Sequence, residues 1–127
     1  MLKRLTPNLI VDDVNATIKW YQDVLSCFEV VVTDPDKGKL DWALMSCEDV
    51  DIMFQSKESI AKSFGELLDE ENGGSVVIYI EMEYLKGLRK IIKNKVEIVK
   101  DIHTTPYGIQ EFIIRDCNGF ILVFAEW

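Results

Sequence analysis

The 127 residues of the chain are 48% hydrophobic and 28% charged, and the formal net charge is -8 at pH 7. A chain of this length usually forms one domain, and no apolar run approaches the roughly 18 residues that a membrane-spanning helix needs. The lack of such a run means that a membrane is not an expected partner. The negative charge would repel a phosphate backbone, so nucleic acid is not an expected partner either. We expect a single domain over residues 1–127, located in the cytoplasm.

The first half of the chain predicts a strand, a helix and three further strands. Asp12 and Asp13 follow the first apolar segment and are suited to cap a helix. Apolar residues then recur at helical spacing from Val14 to Leu25. The predicted strands of this half are residues 5–11, 28–32, 39–46 and 50–55.

The second half repeats this order after a linker helix at residues 59–68 and a glycine-containing joint at residues 70–74. The predicted strands are residues 76–82, 96–99, 109–115 and 120–126. A helix between the first two carries an apolar side formed by Leu85, Leu88, Ile91 and Ile92. His103, the only histidine, falls in a loop-like segment at residues 101–106, where we expect a solvated side chain.

Side chains repeat together with the order of elements. The pattern C-x-x-V-x-I-x-F that starts at Cys47 recurs as C-x-x-F-x-L-x-F from Cys117, and Leu9 in the first strand matches Ile80 at nearly the same shift. This repetition indicates duplication of a half-domain. The predicted βαβββ units are residues 5–57 and 75–127, joined by residues 58–74.

The three cysteines are odd in number and widely spaced. Cys27, Cys47 and Cys117 contain no C-x-x-C pair. This spacing indicates neither a disulfide framework nor a zinc site. We therefore expect buried thiols.

Three segments resemble the vicinal oxygen chelate superfamily, which includes glyoxalases, bleomycin-resistance proteins and dioxygenases. Residues 11–25 are similar to its strand-to-helix opening, with Trp20 and Tyr21 as the aromatic pair, which we expect in the core. Residues 107–112 resemble its aromatic-Gly-x-x-Glu-Phe segment. Residues 115–126 resemble its Asp-Pro-Asp-Gly turn and last strand, with Cys117 and Asn118 at the usual proline and aspartate.

The resemblance covers essentially the whole chain and implies an α+β fold. In this fold, tandem βαβββ modules form a curved, partly open, barrel-like mixed sheet. Within the superfamily, the chain most resembles the metal-free bleomycin-resistance-like branch, because its residues at the family's metal-binding positions are not suited to bind a metal.

Catalytic members of the superfamily hold a divalent metal with four side chains. The resemblance places these positions at Thr6, Met53, Val77 and Val123. One hydroxyl, one thioether and two isopropyl groups cannot replace the imidazoles and carboxylates that such a metal requires. A two-residue shift would exchange Met53 for Gln55, and a single amide still fails. We expect neither a metal nor another cofactor.

Strand alternation predicts the residues that line the concave face. If Leu9 and Val11 face the helix, Thr6, Asn8 and Ile10 point the other way. The predicted ligand-binding residues from this alternation are Asn8, Asp51, Met53, Gln55, Val77, Tyr79, Glu81 and Val123. The family resemblance adds Glu111, which matches a recurrent family position, and Trp42 is expected to add an aromatic wall. This mixed lining suits a small organic ligand with an apolar body and a polar or cationic end.

Some of these residues have structural alternatives. Tyr79 and Glu81 are equally consistent with half-exposed positions in an edge strand. Glu111 is equally consistent with a carboxylate that accepts backbone hydrogen bonds from the neighbouring loop.

Three functions remain open. The first is a metal-free protein that sequesters a small aromatic or cationic compound in a concave cavity, and the family resemblance implies a homodimer. The alternative is a lyase, isomerase or dioxygenase-like enzyme, with Glu81 or Glu111 and Tyr79 as candidate catalytic groups, or with a metal site that the resemblance misplaces. The third is an accessory protein, for which Trp127 is a possible contact with a partner.

Overall fold

The computed structural model describes residues 1–63 and 76–127 of the chain. The chain divides into two compact units, Met1–Glu71 and Asn72–Trp127. The first unit contains β1 (Asn8–Val11), α1 (Val14–Val24), β2 (Glu29–Asp34), β3 (Trp42–Cys47), β4 (Val50–Ser56) and α2 (Lys57–Ser63). The second contains β5 (Val77–Glu81), α3 (Leu85–Ile92), β6 (Glu97–Thr104), β7 (Gln110–Arg115) and β8 (Ile121–Glu126). The α+β fold with a βαβββ order in each half is confirmed.

Each unit builds its own four-stranded mixed sheet. The strand orders are β1-β4-β3-β2 and β5-β8-β7-β6. In each sheet the first strand pairs in parallel with the last, and the other neighbours are antiparallel. The shared order agrees with the repeat in the sequence.

Helix α1 packs on one face of the first sheet. The Asp13 side chain accepts a hydrogen bond from the Ala16 backbone N–H at 3.0 Å and so caps the helix, as predicted. Tyr21 is fully buried, and its ring centre lies 4.9 Å from that of Phe54 in β4. Trp20, also expected in the core, is only half-buried. It lies against the Tyr21 ring in an edge arrangement.

Helix α3 covers the second sheet. The Glu126 carboxylate of β8 accepts hydrogen bonds from the backbone N–H groups of Tyr84 and Leu85 at 3.1 and 3.0 Å. A carboxylate is favoured at this end because the helix dipole is positive there. Leu85 and Ile92 are fully buried. Ile91, predicted on the same apolar side, is 67% exposed, so that prediction is wrong.

The predicted turn between the last two strands is confirmed. The buried Asp116 carboxylate accepts hydrogen bonds from the backbone N–H groups of Asn118 and Phe120 at 2.8 and 2.9 Å. Gly119 has a φ of 88°, a left-handed conformation that glycine adopts without steric strain. These bonds hold the turn and so fix the register in which β7 pairs with β8.

Strand β6 differs most from its prediction. The sequence predicts a strand over residues 96–99, whereas β6 extends from Glu97 to Thr104. His103 therefore lies in a strand, and its assignment to a solvated loop is wrong. The pairing of β6 with β7 is interrupted by two register shifts, which sequence alternation cannot anticipate.

The prediction of thiols at all three cysteines is also wrong. Cys27 and Cys47 form a disulfide with their Cα atoms 5.3 Å apart. Cys27 follows α1 and Cys47 ends β3, so the bond links the helix side of the unit to its sheet. Cys117 is outside the disulfide and is exposed rather than buried.

The predicted linker helix is present in its first part, as α2. The rest of it and the joint at residues 70–74 lie outside the described residues. None of the helices in the described residues has the length and hydrophobicity needed to span a bilayer.

Candidate functional site

Each sheet has one face turned away from its helix, which we call its open face. In β1, Leu9 and Val11 are buried toward α1, whereas Asn8 is exposed and Ile10 is half-buried. The predicted alternation is therefore confirmed for this strand. Because residues opposite each other in neighbouring strands share a face, the register places every predicted binding residue on one of the two open faces. The two faces are described separately.

The first open face carries polar side chains that bind one another. The Asn8 amide donates to Gln55 Oε1 at 2.9 Å, and Gln55 Nε2 donates to Ser59 Oγ at 2.9 Å. Asp51 accepts a hydrogen bond from Ser46 Oγ at 2.6 Å, and Arg4 lies 3.1 Å from its other carboxylate oxygen. These groups would have to exchange existing partners to bind a ligand.

The middle of this face is apolar. Met53 is half-buried and lies opposite Leu44, while Trp42 is half-buried and lies opposite Gln55. Trp42 is thus placed where an aromatic wall is predicted. The face offers apolar contact area and few uncommitted polar groups.

The four positions that the family resemblance assigns to metal ligands are placed differently in the two units. Val77 lies in β5, two residues before Tyr79, and Val123 is the register partner of Tyr79, so this pair is diagonal on the second open face. Thr6 lies outside β1, two residues before Asn8, whose register partner is Met53. The side chains do not fit a divalent metal, because only Thr6 offers an oxygen. Among the described residues, no group of three or more His, Cys, Asp or Glu side chains could hold one.

One row of side chains crosses the second open face. Glu81 in β5 lies opposite Ala125 in β8, Ala125 opposite Glu111 in β7, and Glu111 opposite His103 in β6. The adjacent row contains Tyr79, which is 45% exposed, and Val123, which is buried. Two carboxylates therefore flank a small alanine next to an aromatic and apolar surface.

His103 and Glu111 form the most enclosed ionisable pair on this face. His103 Nε2 lies 3.6 Å from Glu111 Oε1, and the two side chains are 22% and 19% exposed. His103 Nδ1 lies 2.8 Å from the backbone oxygen of Asp101. The alternative role of Glu111, as an acceptor of hydrogen bonds from loop backbone groups, is not observed. In the described parts of the chain, the partner of its carboxylate is His103.

An ion pair holds the strand that carries His103. The Arg89 guanidinium of α3 donates two hydrogen bonds to the Asp101 carboxylate, at 2.6 and 2.8 Å. The backbone N–H of Ile102 donates a third at 2.7 Å. The hydrogen bonds from Arg89 and then from Ile102 lower the pKa of Asp101 from 3.8 to about 2.

Asp101→Asn tests this contact through its pH dependence. The folded-state pKa of Asp101 is below the unfolded value, so its ion pair stabilises the fold fully above about pH 4 and loses that effect as the pH falls through about 2. We expect the variant to unfold at a lower temperature than the wild type near neutrality, with the difference vanishing toward pH 2. A difference that stays constant over this range, measured by thermal unfolding followed by circular dichroism, would contradict the assignment.

A surface depression of about 390 Å³ lies elsewhere, beside the start of α1. Its polar side chains already have structural partners. Asn15 donates to the Gly38 oxygen and accepts from the Leu40 N–H, Lys39 pairs with Glu58, and Asp13 caps α1. The depression therefore reflects loop packing and is not the candidate site.

Comparisons with known proteins agree on one fold. A model of the Glyoxalase/Bleomycin resistance protein/Dioxygenase superfamily matches residues 3–124. None of the curated protein sequences compared with the chain matches it.

Solved structures from several bacteria are similar to the chain. A glyoxalase/bleomycin resistance protein/dioxygenase from Nocardioides has a TM-score of 0.76 at 16% identity, with 100% of this chain and 86% of that one covered. A family enzyme from Burkholderia phytofirmans gives 0.78 at 15% identity and covers 95% of each chain. A superfamily member from Sphaerobacter thermophilus gives 0.78 at 14%, covering 100% of this chain and 98% of that one.

At these identities the structures show the fold alone, whereas the family model matches nearly the whole sequence. The chain belongs to the Glyoxalase/Bleomycin resistance protein/Dioxygenase superfamily.

Proposed function

We propose that the chain is a metal-free binding protein for a small organic molecule with an aromatic or apolar body and a cationic end. The observation that carries the proposal is the row Glu81–Ala125–Glu111–His103 on the second open face. Its carboxylates supply negative charge beside Tyr79 and Val123. The net charge of -8 favours a cationic ligand over an anionic one at long range.

The spacing of the row suits one small charged group. Neighbouring strands are about 4.8 Å apart, so two strand spacings separate Glu81 from Glu111 by roughly 10 Å. Ala125 lies between them and is fully buried. Among the described residues, the Glu81 carboxylate has neither a hydrogen bond nor an ion pair, so it is available to a ligand.

The adjacent row supplies the surface for the ligand body. The half-exposed Tyr79 ring offers a face for aromatic or cation contact, and the half-buried Ile113 extends the apolar area beside the buried Val123. The first open face lacks such uncommitted charge, because Asn8, Gln55 and Asp51 already bind other side chains. We therefore place the charged end of the ligand on the second sheet.

Three matched probes test the proposal: benzamidinium, benzamide and benzoate, which share a ring and carry positive, zero and negative charge. We expect benzamidinium to produce saturable NMR shifts in residues of β5, β7 and β8, benzamide weaker ones and benzoate none. Glu111→Gln should weaken benzamidinium about tenfold, as loss of a charge-assisted hydrogen bond does. Glu97→Gln, which removes a carboxylate from the neighbouring strand β6, is the control and should leave the affinity near that of the wild type.

Equal binding of benzoate and benzamidinium would count against the proposal. So would the absence of saturable binding by any of the three probes.

Acid–base catalysis is the second candidate, because an imidazole and a carboxylate lie 3.6 Å apart on the same open face. We propose a lyase or isomerase reaction in this case, with Glu111 or Glu81 accepting a proton and Tyr79 donating one. Deuterium incorporation from D2O into a panel of carbonyl compounds would reveal such proton transfer. Loss of incorporation in Glu111→Gln and Tyr79→Phe would support it, and incorporation equal to the uncatalysed rate would oppose it.

A further inference from the structure

We propose that His103 controls whether Glu111 is available to a cationic ligand. The neutral imidazole leaves the carboxylate open, and the protonated imidazole occupies it with an internal ion pair. This inference rests on the proposed function and adds its regulation. It assigns a role to a histidine that was predicted to lie in a solvated loop and that the structure has in β6.

Hydrogen bonding determines which nitrogen changes with protonation. His103 Nδ1 lies 2.8 Å from the Asp101 backbone oxygen, which can only accept a hydrogen bond. Nδ1 therefore carries its proton in both charge states, and Nε2 alone gains or loses one. Nε2 is the atom that lies 3.6 Å from Glu111 Oε1. Protonation thus takes place at the atom that faces Glu111.

The two charge states present different surfaces to a ligand. When His103 is neutral, the Nε2 lone pair and the Glu111 carboxylate are both acceptors, and a ligand N–H cation can donate to them. When His103 is protonated, Nε2–H becomes a donor toward the carboxylate and neutralises it. A cation then competes with the imidazolium and binds more weakly.

Few other charges act on this pair. From β7 only Glu111 faces the imidazole, β8 contributes the uncharged Ala125, and Glu81 of β5 lies at the far end of the row. On β6, Lys100 belongs to the next row, opposite Ile113. From α3, the Arg89 charge is paired with Asp101. The immediate response to protonation of His103 is therefore at Glu111.

Two register shifts lie between β6 and β7, one between Ile98 and Lys100 and one between Lys100 and His103. Each shift reverses the alternation once, so the two together leave His103 on the same face as Glu97 at the start of β6. Asp101 lies within the second shift, and its ion pair with Arg89 of α3 holds this part of the strand. Arg89 is thus a positioning residue for His103, although it does not touch it.

The pH dependence of benzamidinium binding tests the role of His103. We expect the wild-type affinity to rise about tenfold between about pH 5 and about pH 8. His103→Gln should bind with an affinity that changes little between these values. Glu111→Gln should bind weakly at both.

The outcomes separate the two proposals. If benzamidinium binds but the pH dependence is the same in His103→Gln, the control by His103 is wrong while the binding function stands. If benzamidinium binds neither wild type nor His103→Gln at either pH, the binding function and the inference both fail.

The positioning role of Arg89 has a ligand-free measurement. Because His103 is the only histidine, its ring nitrogen shifts are assigned without ambiguity. We expect the wild type at about pH 8 to show the Nδ1–H tautomer, set by the bond to Asp101, and Arg89→Gln to show a mixture of tautomers. Arg115→Gln, which breaks the Arg115–Glu97 pair at the other end of β6 and β7, should keep the wild-type tautomer. A wild-type spectrum from Arg89→Gln would overturn the positioning role.

Discussion

Phe54→Ala should lower the free energy of unfolding by about 3–5 kcal/mol, the usual range for removing a buried phenylalanine ring. Phe54 is 0% exposed, and its ring lies 4.9 Å from that of Tyr21 in α1. Truncation leaves a cavity between β4 and α1 that neither rigid element can close. Urea unfolding followed by tryptophan fluorescence measures the loss.

The neighbouring residue provides the matched control. Met53 precedes Phe54 in β4 but points to the open face and is only half-buried. Met53→Ala therefore removes less buried area and should destabilise the chain clearly less than Phe54→Ala. An equal loss in the two variants would show that α1 does not pack against the face assigned to Phe54.

This contrast shows how much of the site the sequence could predict. Alternation of apolar and polar residues in β1 and β4 identifies the open face correctly. A one-residue error in either strand would have turned every side chain to the opposite face, so the agreement covers the whole strand. The repeat from Cys47 to Cys117 transfers that assignment to β8. Fold and facing directions thus follow from local patterns.

The candidate site itself was only partly predictable. Glu81 and Tyr79 are predicted because they lie in a regularly alternating strand, and Glu111 is predicted from the family resemblance. His103 was missed because the mostly polar residues 100–104 predict a loop after a strand that ends at residue 99, whereas β6 continues to Thr104. Arg89 and Asp101 were missed because two charges on different elements show no spacing that reveals their pairing.

The Cys27–Cys47 disulfide was missed because the sequence does not show which cysteines come together in space. Cys27 lies three residues beyond the end of α1 and Cys47 at the end of β3, separated by 20 residues in the chain. The fold brings them together when β2 pairs with β3, where Glu29 lies opposite Ser46.

Replacing both bonded cysteines by alanine should therefore lower the free energy of unfolding by about 3 kcal/mol. Without the bond, the unfolded chain gains the conformational freedom that closing a loop of this length removes. A reducing agent should have a similar effect on the wild type, because Cys27 is exposed to solvent. Cys117→Ala is the control, and its exposed side chain outside the bond should change the stability little. If urea unfolding midpoints of the wild type are the same with and without reductant, the disulfide does not stabilise the first unit. In that case the packing around Tyr21 and Phe28 and the pairing of β2 with β3 hold this part of the unit without the disulfide.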